Sequence, residues 1–312
     1  MMEAEKKVIE DAAGTVVDIQ GLTRRFKRVT ALEDVSLRVR RGTVHGLVGA
    51  NGAGKTTLMR HMLGAYRPQS GTVSVFGLDP VKHPVAVLGR LGYLSEERDI
   101  PGWMRVRELL WYVKSFYPDW DDGYAESLRA RFGLKPEARV KGLSRGERAK
   151  AGLLCAIAYR PELLLLDEPS SGLDVSSRRD ILEAIVRTVA DEGRTVVFSS
   201  HLLDEVDRVA DYVTMVHQGR VVLDGPLEDI RARHGRVVLH FDAAPLTPPR
   251  LPGQLFADGS GREWNVVFEG DAAAFQTAAS EASARIVETA TPTLEEIFLA
   301  HTGVCAAEED AV

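Results

Sequence analysis

The chain has 312 residues, 45% hydrophobic and 27% charged, enough to bury a sizeable core and suited to one main domain with an appendage. A net charge of −6 and a pI near 5.8 exclude a protein whose main task is to coat nucleic acid. Two cysteines, Cys155 and Cys305, exclude a disulfide framework and fit a reducing compartment, the charged residues 1–10 hold no apolar signal core, and no apolar run reaches the ~18 residues of a bilayer span. Any membrane role is therefore expected to run through a partner.

In chain order, residues 1–14 read as a tail, and residues 16–19 and 31–39 alternate like half-buried strands. Phe26 lies between them and fits either the core of a small β-sheet or a platform on which a nucleobase stacks. The apolar run Val44-His45-Gly46-Leu47-Val48 reads as a buried parallel strand. Leu58, Met59, Met62 and Leu63 recur at helical spacing, and between the two stands Gly49-Ala50-Asn51-Gly52-Ala53-Gly54-Lys55-Thr56-Thr57. Strand, glycine loop and helix in this order form a phosphate cradle. Loop N–H groups, at Asn51, Gly52, Gly54 and Thr57 among others, and the positive helix end face the anion. Lys55 reaches the outer phosphates, and the Thr56 hydroxyl suits Mg²⁺.

Pro68-Gln69-Ser70-Gly71 marks a turn, and residues 72–76 form a strand returning to the first sheet. Residues 95–154 change character to helices. Leu109, Val113, Phe116 and Tyr117 make one apolar face and Leu128 and Phe132 another, with Trp103, Trp111, Tyr112 and Trp120 expected to anchor the helical core. Leu163-Leu164-Leu165-Leu166-Asp167-Glu168 is a buried strand ending in two carboxylates, placed so that Asp167 orients Mg²⁺ and Glu168 polarises water for attack on a terminal phosphate. Asp174 closes the turn Ser170-Ser171-Gly172-Leu173-Asp174 and N-caps a helix carrying Leu182, Val186 and Val189, which Gly193 ends. The strand at 195–199 delivers His201 to its carboxyl edge, where a γ-phosphate sensor would stand.

Residues 212–217 and 220–223 read as a hairpin through Gln218-Gly219 that closes the main domain. Beyond residue 231 comes a separate small unit: strands at 237–241 and 264–268 around the proline-rich 245–252, a helix at 272–282, a strand at 285–288 and a helix at 293–300. It shows no catalytic constellation, and the last residues read as disordered.

The pentapeptide Leu143-Ser144-Arg145-Gly146-Glu147 has the spacing of a capping box at a helix start. Together with the P-loop, Asp167-Glu168, Ser171 to Asp174 and His201, in this order, it resembles the ATP-binding cassette family over about residues 16–229. The resemblance implies an α/β fold, a P-loop NTPase core with an antiparallel β-subdomain and a helical subdomain at 95–155, within a nucleotide-binding domain at 15–230. A small α+β C-terminal domain at 231–301 and tails at 1–14 and 302–312 complete the expected division.

The family implies two subunits sandwiching two ATP molecules, each between the P-loop of one chain and the signature helix of the other. Matched position by position, Phe26 stacks on the base, Lys55 and Thr56 take phosphate and Mg²⁺, and Ser144 and Gly146 are the signature donors. Asp167 orients Mg²⁺, Glu168 is the base, Asp174 belongs to the loop that crosses the dimer, and His201 is the γ-phosphate switch. Two positions depart from the pattern. The usual Leu-Ser-Gly-Gly-Gln reads Leu143-Ser144-Arg145-Gly146-Glu147, where Arg145 is placed either to meet a phosphate or to pair with Glu147. The usual hinge Gln is Glu96, whose carboxylate can serve a Mg²⁺ shell.

The expected function is that of the ATPase subunit of a transporter, turning ATP and water into ADP and phosphate at the cytoplasmic face of the membrane. Its expected partners are a separate integral-membrane permease subunit and a second ABC ATPase subunit, identical or a close paralogue, with no nucleic acid. The segment Thr293-Leu294-Glu295-Glu296-Ile297-Phe298-Leu299 is similar to the terminal motif of type-2 exporters of drugs, antibiotics or polysaccharides, which favours export. The alternatives are a soluble ABC ATPase driving an assembly machine and a P-loop small-molecule kinase, the latter leaving the signature and His201 without a role.

Overall fold

The computed structural model describes residues 14–303 except 98, 191, 192, 246 and 248; apart from Gly14, Thr302 and Gly303, the expected tails, and Cys305 with them, lie outside the described residues. The chain divides into two units, up to Val221 and from Val222 onward. The division falls within a strand, nine positions before the boundary expected near residue 230.

In the first unit, β1 (Thr15–Phe26) pairs antiparallel with β2 (Val29–Arg40). The short apolar β3 (Val44–Val48) is buried along its whole length and runs into the P-loop, after which α1 (Lys55–Met62) begins. Strand β4 (Ser70–Val75) returns to β1, as the turn at residues 68–71 leads one to expect. Leu58, Met59 and Met62 of α1 are fully buried in one continuous core. Val17, Ile19, Leu22, Val35 and Val75 of the antiparallel sheet share that core with Leu47, Leu163, Leu165 and Val197 of a second, parallel sheet. Each such side chain contributes about 1.5–3 kcal/mol relative to an exposed position, so the helix that begins at Lys55 is anchored from both sides.

After α2 (Pro84–Leu88) and β5 (Leu91–Leu94), the helical segment contains α3 (Val106–Lys114), α4 (Asp122–Arg131) and α5 (Arg145–Ile157). Its small core is Met104, Leu109, Val140 and Cys155, with Val113 packed against it. Three of the four aromatic anchors expected there are not inside: Trp103 and Trp111 are 68% and 73% exposed and Tyr112 is 42% exposed, while Trp120 is half-buried. Helix α3 turns Val106 and Leu109 inward with Val113 packed beside them, so Trp111, two positions beyond Leu109, faces away. Phe116 falls past the last residue of α3 and is exposed, whereas Tyr117 stacks on Tyr159 with ring centroids 3.5 Å apart.

After α5 come β6 (Leu163–Leu166), α6 (Val175–Ala190), β7 (Thr195–Ser200), α7 (Leu203–Val209), β8 (Tyr212–His217) and β9 (Arg220–Pro226). The sheet order is β5-β6-β7-β3-β8-β9, and the neighbours from β5 through β8 are parallel. Parallel order puts the carboxyl ends of β3, β5, β6 and β7 along one edge, where open α/β sheets carry their ligands. Gln218 and Gly219 turn the β8–β9 hairpin with φ of 48° and 78°, the left-handed pair that a tight hairpin requires.

The second unit contains α8 (Leu227–Arg233), β10 (His234–Phe241), β11 (Gln254–Ser260), β12 (Glu263–Glu269), α9 (Ala272–Glu281), β13 (Ala284–Ala290) and α10 (Leu294–Thr302). Its antiparallel sheet has the order β11-β12-β10-β13 over a core that includes Leu239, Trp264, Val266 and Phe275. The sequence does not announce β11, because Gln254, Asp258, Gly259 and Ser260 dilute its alternation.

One polar residue on β3 carries a measurable consequence. His45 is 1% exposed, its Nε2 lies 2.7 Å from Thr214 Oγ1 on β8, and burial lowers its pKa from 6.5 to about 4. An unfolded chain takes up the proton near pH 6.5 and the folded one only near 4, so stability is flat above 6.5 and falls as the pH drops between the two. The whole loss amounts to about 3 kcal/mol. Urea titrations of wild type and His45→Gln across pH 7 to 4 are expected to differ in slope by up to one proton; equal slopes would remove His45 from this role.

Candidate active site

The P-loop leaves β3 in a conformation that only glycine supports at two points: Gly52 and Gly54 have φ of 78° and 114°. A Cβ on Gly54 would stand 2.6 Å from the Ala31 carbonyl oxygen, so the loop lies against β2 with no room for a side chain. The hairpin turn locks it from another side, since the Gly219 amide donates to the Ala53 carbonyl at 3.0 Å and the Glu33 amide to the Gly219 carbonyl at 2.8 Å. Asn51, Gly52, Ala53, Gly54, Lys55, Thr56 and Thr57 line one cavity together with Val29, Ala31, Glu96 and Glu168.

Lys55 is 6% exposed. Its ammonium donates to the Gly49 carbonyl at 2.6 Å and the Ala50 carbonyl at 3.3 Å, and lies 3.0 Å from Glu168 Oε1. Glu168 Oε2 meets His201 Nδ1 at 2.7 Å, so the carboxylate sits between an ammonium and an imidazole. The backbone of Glu168 is left-handed with φ 46°, a conformation that costs a branched or long side chain about 1–2 kcal/mol and collects at functional sites. One residue before it, Asp167 Oδ1 accepts from the Thr56 hydroxyl at 3.1 Å, joining the end of β6 to the first turn of α1.

Sequence reading missed what holds these carboxylates. Ser199 Oγ, near the end of β7, accepts the Glu168 amide and donates to Asp167 Oδ1, each at 2.8 Å. Buried Glu205 on α7 accepts from the hydroxyls of Ser170 and Ser200 and pairs with Arg178 Nε on α6 at 3.1 Å. Burial raises its pKa against the pull of those partners. The available signal was Ser199-Ser200, two small polar residues closing a buried strand directly after the apolar run Val196 to Phe198.

Six expected site residues do not line the P-loop cavity: Asp167 and His201 are bonded to its Thr56 and Glu168, and Phe26, Ser144, Gly146 and Asp174 are held elsewhere. Phe26 packs edge to face on Tyr66 at 5.4 Å under the Arg24 guanidinium, and Val29, its pairing partner on β2, lines the cavity instead. Ser144 caps α5, its hydroxyl accepting the Glu147 amide at 3.2 Å while its own amide donates to Glu147 Oε2 at 2.9 Å. That capping box occupies the Glu147 carboxylate, and exposed Arg145 lies beside Gly172 instead. A Cβ on Gly146 would stand 2.0 Å from Ser177 Oγ, so this position also serves packing between the starts of α5 and α6. Asp174 caps α6 through the Ser177 amide at 2.9 Å, which holds its pKa low.

The donors suit a nucleotide with its metal. Glycine-rich amides and a buried ammonium fit phosphate oxygens, and the Thr56 hydroxyl with the Asp167 and Glu96 carboxylates is an oxygen-only set of the kind a hard cation takes. Ser199→Ala leaves the Glu168 amide buried without its acceptor and is expected to destabilise the first unit by about 1–3 kcal/mol in urea titration, with Ser199→Thr milder. A shift below about 0.5 kcal/mol, the range of surface changes, would contradict the bracing role.

The family described as ABC transporter matches residues 32–171. The ABC transporter ATP-binding protein NatA of Bacillus subtilis is 36% identical over 225 residues, 69% of this chain and 91% of that protein. The daunorubicin resistance ATP-binding protein DrrA3 of Streptomyces coeruleorubidus is 35% identical over 228 residues, 72% of each chain. A solved structure of the ATP-binding subunit of an ABC transporter superposes with a TM-score of 0.64 at 28% identity, over 70% of this chain and 92% of that one. No helix among the described residues is long and apolar enough to cross a membrane. The chain belongs to the ATP-binding proteins of ABC transporters and is an ATPase with the P-loop NTPase fold of that family.

Proposed function

We propose that the chain drives an exporter: it binds ATP with Mg²⁺ at the P-loop, pairs with a second ATPase subunit, and passes the resulting movement to an integral-membrane permease subunit at the cytoplasmic face. The observation that supports it most is the convergence of Lys55, Glu168 and His201 at the P-loop, joined by an ion pair and a hydrogen bond on the one carboxylate. Export draws on the similarity to a daunorubicin resistance ATP-binding protein and on the segment at residues 293–299.

Each residue then has a task. Loop amides from Asn51 to Thr57 and the Lys55 ammonium take the phosphates, and those oxygens compete with Glu168 for the ammonium. Thr56 and Asp167, with Glu96 nearby, would hold Mg²⁺, which neutralises phosphate charge and orients the leaving group. Glu168 Oε2 accepts the proton of the attacking water, and His201 keeps that carboxylate oriented while sensing the terminal phosphate. Phe26, paired with cavity-lining Val29, would stack on the nucleobase after turning from Tyr66. Ser144 and Gly146 at the α5 terminus, with Asp174, complete the site on a partner copy, because α5 presents Ser144 exposed at its positive end. Closure of two subunits on ATP and their release after hydrolysis move the permease between two states.

Lys55→Ala is expected to weaken ATP binding about 10- to 100-fold in equilibrium titration. Glu168→Gln is expected to keep binding while kcat falls by about 10² to 10⁴. Hydrolysis by Glu168→Gln near the wild-type rate would remove Glu168 as the base. Tagged Glu168→Gln solubilised from native membranes with ATP should bring down an integral-membrane protein; recovery of soluble partners alone would favour the assembly-machine reading.

A further inference from the structure

The second unit holds a group of side chains that ATP chemistry does not use. His234 opens β10, Glu269 closes β12 directly opposite it in the ladder, and His301 lies near the end of α10. One ligand atom from each lies within 4.8 Å of the others, a grouping of His, Cys, Asp or Glu found at this one place among the described residues.

The hydrogen bonds set which atoms face inward. His234 Nδ1 lies 2.6 Å from the Ile230 carbonyl, which can only accept, so Nδ1 carries the proton and Nε2 holds a free lone pair. His301 Nε2 stands 3.0 Å from that lone pair, with the two rings edge to face. Arg233 Nε holds Glu269 Oε1 at 3.1 Å. A ring N–H bound to a backbone carbonyl and a carboxylate held by a neighbour are the outer-shell supports that metal ligands show. Two Zn–N bonds of about 2.0–2.1 Å at a tetrahedral angle separate the nitrogens by roughly 3.3 Å, so the observed spacing needs to widen by a few tenths of an ångström. His234 is buried and the other two are half-buried, so the group is sheltered and still reachable.

We propose that His234, His301 and Glu269 form a binding site for a divalent transition-metal ion of the Zn²⁺ class, leaving one coordination position for water. Two imidazoles and one carboxylate select such ions over Mg²⁺ and Ca²⁺, which take oxygen. The ion ties α10 to two strands of the sheet, so its binding stabilises this unit by mass action.

The test uses untagged full-length protein, with Co²⁺ as spectroscopic probe and Zn²⁺ by calorimetry. Wild type is expected to bind one equivalent with the visible absorption of four-coordinate Co²⁺, abolished by Zn²⁺. His301→Gln and Glu269→Gln should each weaken binding at least about tenfold, while His240→Gln, the third histidine of this unit, leaves it unchanged. Far-UV circular dichroism checks that the variants fold, and His301→Gln on the surface helix keeps the test usable should buried His234 tolerate no change. Absence of the four-coordinate Co²⁺ signal, or equal affinity in His301→Gln, would mean that the two imidazoles share a plain N–H···N hydrogen bond and would overturn the site.

Discussion

A buried ion pair governs the active centre. Lys55 and Glu168 are 3.0 Å apart with both side chains 6% exposed. Burying two charges costs several kcal/mol for each, recovered only with close geometry and further hydrogen bonds, so a pair of this kind is poor evidence for stability. In the proposed function both charges serve chemistry instead, with two backbone carbonyls on the ammonium and His201 on the carboxylate. Removing either leaves the other buried and uncompensated, which couples the cradle to Glu168.

The sheet makes that pair possible. Because β3, β6 and β7 are parallel neighbours, their carboxyl ends deliver the P-loop, the two carboxylates and His201 to one edge. Ser199 then fixes the height of Asp167 and Glu168 against β7, and the core around α1 fixes Lys55 and Thr56. Gly152 lies so close to Leu94, and Gly92 to the Ala156 carbonyl, that α5 rests on β5 almost without intervening side chains. Helix α5 and the strand leading to Glu96 are therefore mechanically joined.

Most of this was legible in the sequence wherever a local rule and the fold agree. Val44 to Val48 and Leu163 to Leu166 are apolar runs, and both are buried strands with those bounds. The capping box at Ser144 and the Asp174 cap follow from residue spacing alone. Long-range relations were not legible. That Phe26 turns to Tyr66, that Trp111 faces solvent, and that Ser199 braces two carboxylates from the adjacent strand depend on which elements meet. Single-sequence periodicity does not encode that. Strand β11 was missed for the opposite reason, since the ladder with β12 overrides a sequence with little strand preference of its own.

In the proposed function each P-loop is half of a working site, completed by Ser144 and Gly146 of a second subunit. Sedimentation velocity of Glu168→Gln with ATP, with and without Ser144→Arg, tests this most directly. The account predicts an ATP-dependent dimer for Glu168→Gln that the added Ser144→Arg abolishes, while the monomer keeps its ATP affinity. A dimer that persists in the double variant, or an equal loss of ATP affinity in the monomer, would contradict a site shared between two chains.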